Sequence, residues 1–93
     1  MVYLISLTWN RRNTIHVERH NVTPQEVEEV CFTNHYSRRV DGRSRYRRYM
    51  IIGQTEEGRY LTVFVDFQRR GIFYPVTARD AEEHERRLFQ NER

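Results

Sequence analysis

The sequence predicts an α+β fold in the order β-α-α-β-β-β-α: an antiparallel sheet with two N-terminal helices and a C-terminal helix. Three observations lead there. Residues 2–7 alternate like a strand, with Tyr3, Ile5 and Leu7 on one side and Val2, Leu4 and Ser6 on the other. Residues 46–76 hold three β-branched and aromatic runs parted by glycine-containing turns. Helical patterns flank this central block instead of alternating with its strands, so the layout is sheet-plus-helices and not repeated βαβ units.

Trp9-Asn10 leads from the first strand into a charged segment, residues 11–20. Ile15 and Val17 give that segment a thin apolar stripe. A helix there places His16 and His20 on one face, at i and i+4. Asn21 tolerates the left-handed backbone that ends a helix. Thr23-Pro24-Gln25-Glu26 is the clearest local signal. Thr23 is an N-cap, Pro24 fits the first helical position, and Glu26 completes a capping box. This helix runs to about Phe32 and buries Val27, Val30 and Cys31. An irregular arginine-rich stretch with a turn at Asp41-Gly42 is expected next.

The remaining strands are expected at residues 46–52, 60–67 and 72–76, with turns at 54–58 and 68–71. Pro75 lacks an amide donor, which points to an edge, a bulge or the end of pairing. The chain then turns into a helix at Thr77 or Asp80, since Thr77-x-x-Asp80 and Asp80-x-x-Glu83 both match a capping box. That places Arg79 in or beside the first helical turn. A cation there opposes the helix dipole unless an anion is bound, so Arg79 reads as part of a phosphate cradle. On the helical wheel Glu82 stacks with Arg86, and Glu83 with Arg87. Glu85 instead falls within the apolar arc of Ala81, Leu88 and Phe89, where a carboxylate is costly unless paired or used.

The 93 residues suffice for one small domain, residues 1–93, with a modest core; 31% are charged and 38% hydrophobic. The one cysteine, Cys31, excludes an internal disulfide and points to a reducing compartment. Residues 1–7 are too short for a signal peptide or membrane span, so a cytoplasmic protein without membrane association is expected. All 16 basic residues are arginine, and the net charge is +3. Arg38, Arg39, Arg43, Arg45, Arg47 and Arg48 crowd together with Tyr36, Tyr46 and Tyr49 among them. Arginine suits bidentate phosphate contact and base stacking, and such interleaving fits nucleic-acid binding.

Several segments together resemble the BrnT toxin family. Trp9-Asn10 stands where that family has Trp-Asp. Arg19-His20-Asn21-Val22-Thr23-Pro24-Gln25-Glu26-Val27 resembles its Lys-His-Gly-Val-Ser/Thr-x-x-Glu segment. Gly53 through Thr55 with Gly58-Arg59-x-Leu61 resembles its central hairpin. Val76-Thr77-Ala78-Arg79 followed by Glu85-Arg86 resembles its ending. Asn10, Arg19 and Asn21 depart from the family's Asp, Lys and Gly. The resemblance implies a RelE-like fold and a bacterial type II toxin that cleaves RNA. It also implies a BrnA-like ribbon-helix-helix antitoxin, a heterotetramer with it, and contact with operator DNA only through that antitoxin.

Metal-free RNA cleavage needs a base for the ribose 2′-hydroxyl, an acid for the leaving 5′-oxygen, and a cation at phosphate. Arg79 is expected at the phosphate, and Glu85, His16 and His20 as the acid–base candidates. Imidazole suits this chemistry because it ordinarily titrates near neutrality. Arg45, Arg47, Arg48 and Arg59 are expected to bind RNA. Each has a structural alternative: Arg79 could pair with Glu83, Glu85 with a sheet arginine, and His20 could sit at a helix C-terminus. No metal or cofactor is expected, because His16 and His20 lack a third ligand at a telling distance and no Gly-rich phosphate loop is present. Cys31 belongs on a buried face and is not expected to react. Two further readings stand beside the toxin: a non-catalytic RNA- or DNA-binding module using residues 36–49, and an inactive relative kept for partner binding.

Overall fold

The computed structural model describes residues 2–40 and 45–91. The predicted turn at Asp41-Gly42 lies outside these residues. The class is α+β, as expected: three helices and a five-stranded sheet. The element order is β1 (Ser6–Leu7), α1 (Arg11–Arg19), α2 (Pro24–Cys31), β2 (His35–Val40), β3 (Arg48–Gln54), β4 (Tyr60–Arg69), β5 (Ile72–Asp80) and α3 (Glu83–Asn91). The order therefore contains one strand more than β-α-α-β-β-β-α.

The extra strand is β2, where an irregular stretch was expected. It pairs antiparallel with β3, Tyr36 opposite Ile52 and Val40 opposite Arg48. Arg38 and Arg39 hide it in the sequence. β2 is a sheet edge, and charges on an edge strand replace the apolar alternation that marks inner strands. The sheet order is β1-β5-β4-β3-β2. β2 to β5 form an antiparallel meander, but β1 pairs parallel to β5, Ser6 opposite Ile72. The sheet is therefore mixed and not antiparallel. Side-chain alternation is the same for both pairing directions, so it does not encode this. The N-terminal strand also contracts from residues 2–7 to two residues.

The helices start where local chemistry dictates. Thr23 caps α2: its hydroxyl accepts from the Glu26 amide, and the Glu26 carboxylate accepts from the Thr23 amide. Asn10 and Asn13 make the same reciprocal pair at α1. An asparagine in place of aspartate at position 10 thus keeps the cap. Asn21 has φ 61°, the left-handed conformation expected of it.

Both sheet faces carry a core. Val17, Val22, Val27 and Val30 from α1, α2 and their link pack on Ile51, Leu61, Val63, Val65 and Ala78. On the other face Phe89 of α3 packs on Met50 and Ile52, flanked by Tyr60 and Phe64. Gly53 lets α2 approach β3, since a Cβ there would meet Val30 Cγ1 at 3.1 Å. Pro75 sits beside a register shift opposite Val65, which is the bulge its missing donor suggested. Among the described residues, no helix is long and apolar enough to cross a membrane.

Candidate functional site

The C-terminal junction differs from expectation in a way that changes two residues. β5 does not stop at residue 76. Thr77 to Asp80 continue it, pairing with Phe64 to Leu61 of β4. The helix begins at Glu83, so neither Thr77 nor Asp80 caps it. Strand pairing overrides the local capping pattern here. Arg79 therefore lies on a strand, and the helix-terminus phosphate cradle is not formed.

Arg79 instead holds Glu85. Its two terminal nitrogens donate to the two carboxylate oxygens at 2.8 and 2.9 Å. The Thr62 hydroxyl and the Glu82 amide each donate to Glu85 Oε1 at 2.8 Å. Glu85 is 4% exposed. Burial pushes its carboxyl up, but the guanidinium, the amide and the hydroxyl outweigh burial and hold it at about 2. A carboxylate so stabilised is a poor proton acceptor. Glu85 is therefore corrected from base to a fold residue, tying α3 to β4 and β5. Arg79 has its charge neutralised within the same pair, and it sits 5.8 Å from the Phe64 ring centroid.

Two of the arginines expected at RNA are held in the fold. Arg59 donates to Asp80 at 2.7 Å, to the Asn21 carbonyl at 2.6 Å and to Glu26 at 3.2 Å. It is a tether between the α2 cap, β4 and the end of β5. Arg48 binds Asp66 through Nε and a terminal nitrogen, at 2.7 and 3.1 Å. Arg45 and Arg47 are exposed, and Arg47 lies 4.1 Å above the Phe67 ring. The strand pleat also divides the arginine–tyrosine segment. Consecutive strand residues such as Arg38 and Arg39 point to opposite faces. Among the described residues, the arginines of β2 do not all share one sheet face.

A cavity lies elsewhere, between α1 and the sheet. Its volume is about 710 Å³, and Arg12, His16, Tyr46, Asp66, Gln68 and Tyr74 line it. α1 is pinned against β5 by Asn13, whose side-chain amide donates to the carbonyls of Thr8 and Pro75 at 2.9 Å each. That buried anchor aims the exposed positions 12 and 16, one turn apart, along the cleft. His16 Nε2 shares a 3.0 Å hydrogen bond with the Thr77 hydroxyl, which fixes the ring. Asp66 is neutralised by Arg48. Among the described residues Arg12 has no ion-pair partner, so the cleft presents a net cation beside an imidazole.

The structure thus puts His16 in a cleft that Arg79 and Glu85 do not line, although His16 bonds Thr77, two residues before Arg79 on β5. His20 is the C-cap of α1, its ring centroid 5.3 Å from that of His16, and it does not line the cleft. Arg12 and Tyr74 were missed in the sequence. The legible signal for Arg12 was its i,i+4 spacing to His16, the same spacing that linked His16 to His20.

Donor atoms of Glu82, His84 and Glu85 lie within 4.8 Å of one another. Both Glu85 oxygens are already taken by protein donors, so this group is the capped start of α3. Cys31 is 1% exposed, and burial, with the Glu28 carboxylate adding to it, pushes its thiol up to about 12. Thiol alkylation is expected to leave Cys31 unmodified in the folded chain and to modify it fully in denaturant; rapid native labelling would contradict this burial.

No protein-family model matches the chain, and no curated protein sequence matches it.

Proposed function

We propose that this chain is a metal-independent endoribonuclease, the toxin of a type II pair of BrnT type. The observation that carries the reading is the pairing of Arg12 and His16 on one face of α1 within a 710 Å³ cleft. The four-segment resemblance supports it independently. A single-stranded RNA enters with one phosphate at Arg12. Attack of the 2′-oxygen forms an O–P bond and breaks the bond to the 5′-oxygen. A proton leaves the 2′-hydroxyl and another reaches the 5′-oxygen, giving a 2′,3′-cyclic phosphate and a free 5′-hydroxyl. His16 carries one of these proton transfers. Arg12 stabilises the charge that grows on the phosphorane. Tyr46 and Tyr74 offer ring faces to the bases. The partner in this reading is a BrnA-like ribbon-helix-helix antitoxin that holds the toxin in a heterotetramer and alone contacts operator DNA.

The test is incubation with RNA in EDTA. Cleavage is expected to persist, to leave cyclic-phosphate ends, and to vanish on the 2′-deoxy oligonucleotide of the same sequence. Absence of cleavage of any RNA by the purified chain, together with no growth inhibition on expression, would sink the reading.

A further inference from the structure

The cleft is not the only place where arginine and aromatic rings converge. A second hollow of about 600 Å³ opens between the N-terminal segment and the β4–β5 turn. Arg47 and Arg70 line it together with Tyr3, Tyr49, Phe67 and Phe73. Two guanidiniums already lie over rings: Arg47 at 4.1 Å from the Phe67 centroid, Arg70 at 5.8 Å from that of Tyr3. Tyr3 is 61% exposed. Among the described residues no carboxylate lines the hollow, so its two cations face no local counter-charge. Phe67 lines this hollow and the cleft alike, so the two sites adjoin across one ring.

We infer that this hollow is a subsite for a nucleotide flanking the one cleaved, so that the chain grips a single strand along two adjoining cradles. The inference rests on the proposed function for the position of the scissile phosphate. The chemistry is that of single-strand binding: ring faces for bases and guanidiniums for the backbone, with little sequence preference. An acidic peptide would satisfy the arginines alone, whereas a nucleotide supplies both a phosphate for them and a base for the exposed Tyr3 ring. The Gly71 turn shapes the site. Its φ is +78°, and a Cβ there would lie 2.6 Å from Ile5 Cδ1, so glycine lets the N-terminal segment close over the turn beside Arg70.

The test uses the full chain and fluorescent single-stranded oligonucleotides with 2′-O-methyl riboses, which bind but are not cleaved by 2′-hydroxyl attack. Arg70→Ala and Tyr3→Ala are expected to weaken binding of an eight-nucleotide strand about tenfold each. Arg70→Ala should also flatten the salt dependence of binding. Both positions are exposed, so an unchanged melting temperature is the control. If Arg70→Ala and Tyr3→Ala bind like the native chain, the subsite is refuted, whatever happens to cleavage. If they lose binding in a chain that cleaves no RNA, the subsite stands and the nuclease reading falls. Equal affinity for a polyglutamate peptide of the same charge would assign the hollow to acidic protein and overturn the inference.

Discussion

Glu85→Ala is expected to destabilise the folded chain by about 3 kcal/mol, read as a fall in melting temperature of roughly 15 °C. Removing the carboxylate strands three donors at once: the Arg79 guanidinium, the Thr62 hydroxyl and the Glu82 amide. The lower end of the range for broken buried pairs applies because the Arg79 side chain is 36% exposed and water can recover part of the loss. The same group sets an acid limit. Its folded value, about 2, lies below the ordinary 4.5, so the unfolded chain binds the proton more readily. The stabilisation is therefore complete above about pH 4.5 and is lost as pH falls towards 2. Urea midpoints measured across that window should drop for the native chain and change less for Glu85→Gln. A loss under 1 kcal/mol for Glu85→Ala would mean that the pair behaves as an ordinary surface bridge.

His16→Ala is expected to lower the RNA cleavage rate by 10²- to 10⁴-fold, the usual contribution of one positioned acid or base. His16 is exposed and makes one side-chain hydrogen bond, to Thr77. Its removal should leave the melting temperature close to native. That contrast separates the two predictions: Glu85 substitutions act through folding, His16 substitutions through chemistry on an intact fold. Single-turnover rates on a short RNA, compared with thermal melts, resolve the two. Cleavage at the native rate by a folded His16→Ala chain would remove the imidazole from the mechanism and leave Arg12 as a binding residue alone.

What could be read from the sequence divides along a physical line. The α2 start was legible because Thr23, Pro24 and Glu26 act within one turn of chain. The inner strands were legible because Ile51, Val63 and Val65 repeat at the period of a buried sheet. β2 was not, because its arginines answer to an edge. The end of β5 was not, because Thr77 to Asp80 satisfy a capping pattern locally and a strand ladder globally, and the ladder wins. Glu85 was correctly singled out as a carboxylate on an apolar face. Which cation meets it depended on β5 running on past residue 76, a long-range fact. His16 was legible as a candidate, but Arg12, Tyr46 and Tyr74 come together only once α1 docks on the sheet edge.

The parallel strand β1 has a consequence for the order of events in folding. Its hydrogen bonds join residues distant in the sequence: the Ile5 and Ser6 amides donate to the Gly71 carbonyl, and the Thr8 amide to that of Phe73. Closing so large a loop for so few bonds is entropically the most expensive pairing in the sheet. The β3–β4–β5 meander needs none of it. The N-terminal segment should therefore be the last piece to settle and the first to peel away, a local opening below the global unfolding free energy. Amide hydrogen exchange at Ile5, Ser6 and Thr8 should outpace that at Ile51 and Val63; equal protection would show instead that the whole sheet opens as one unit.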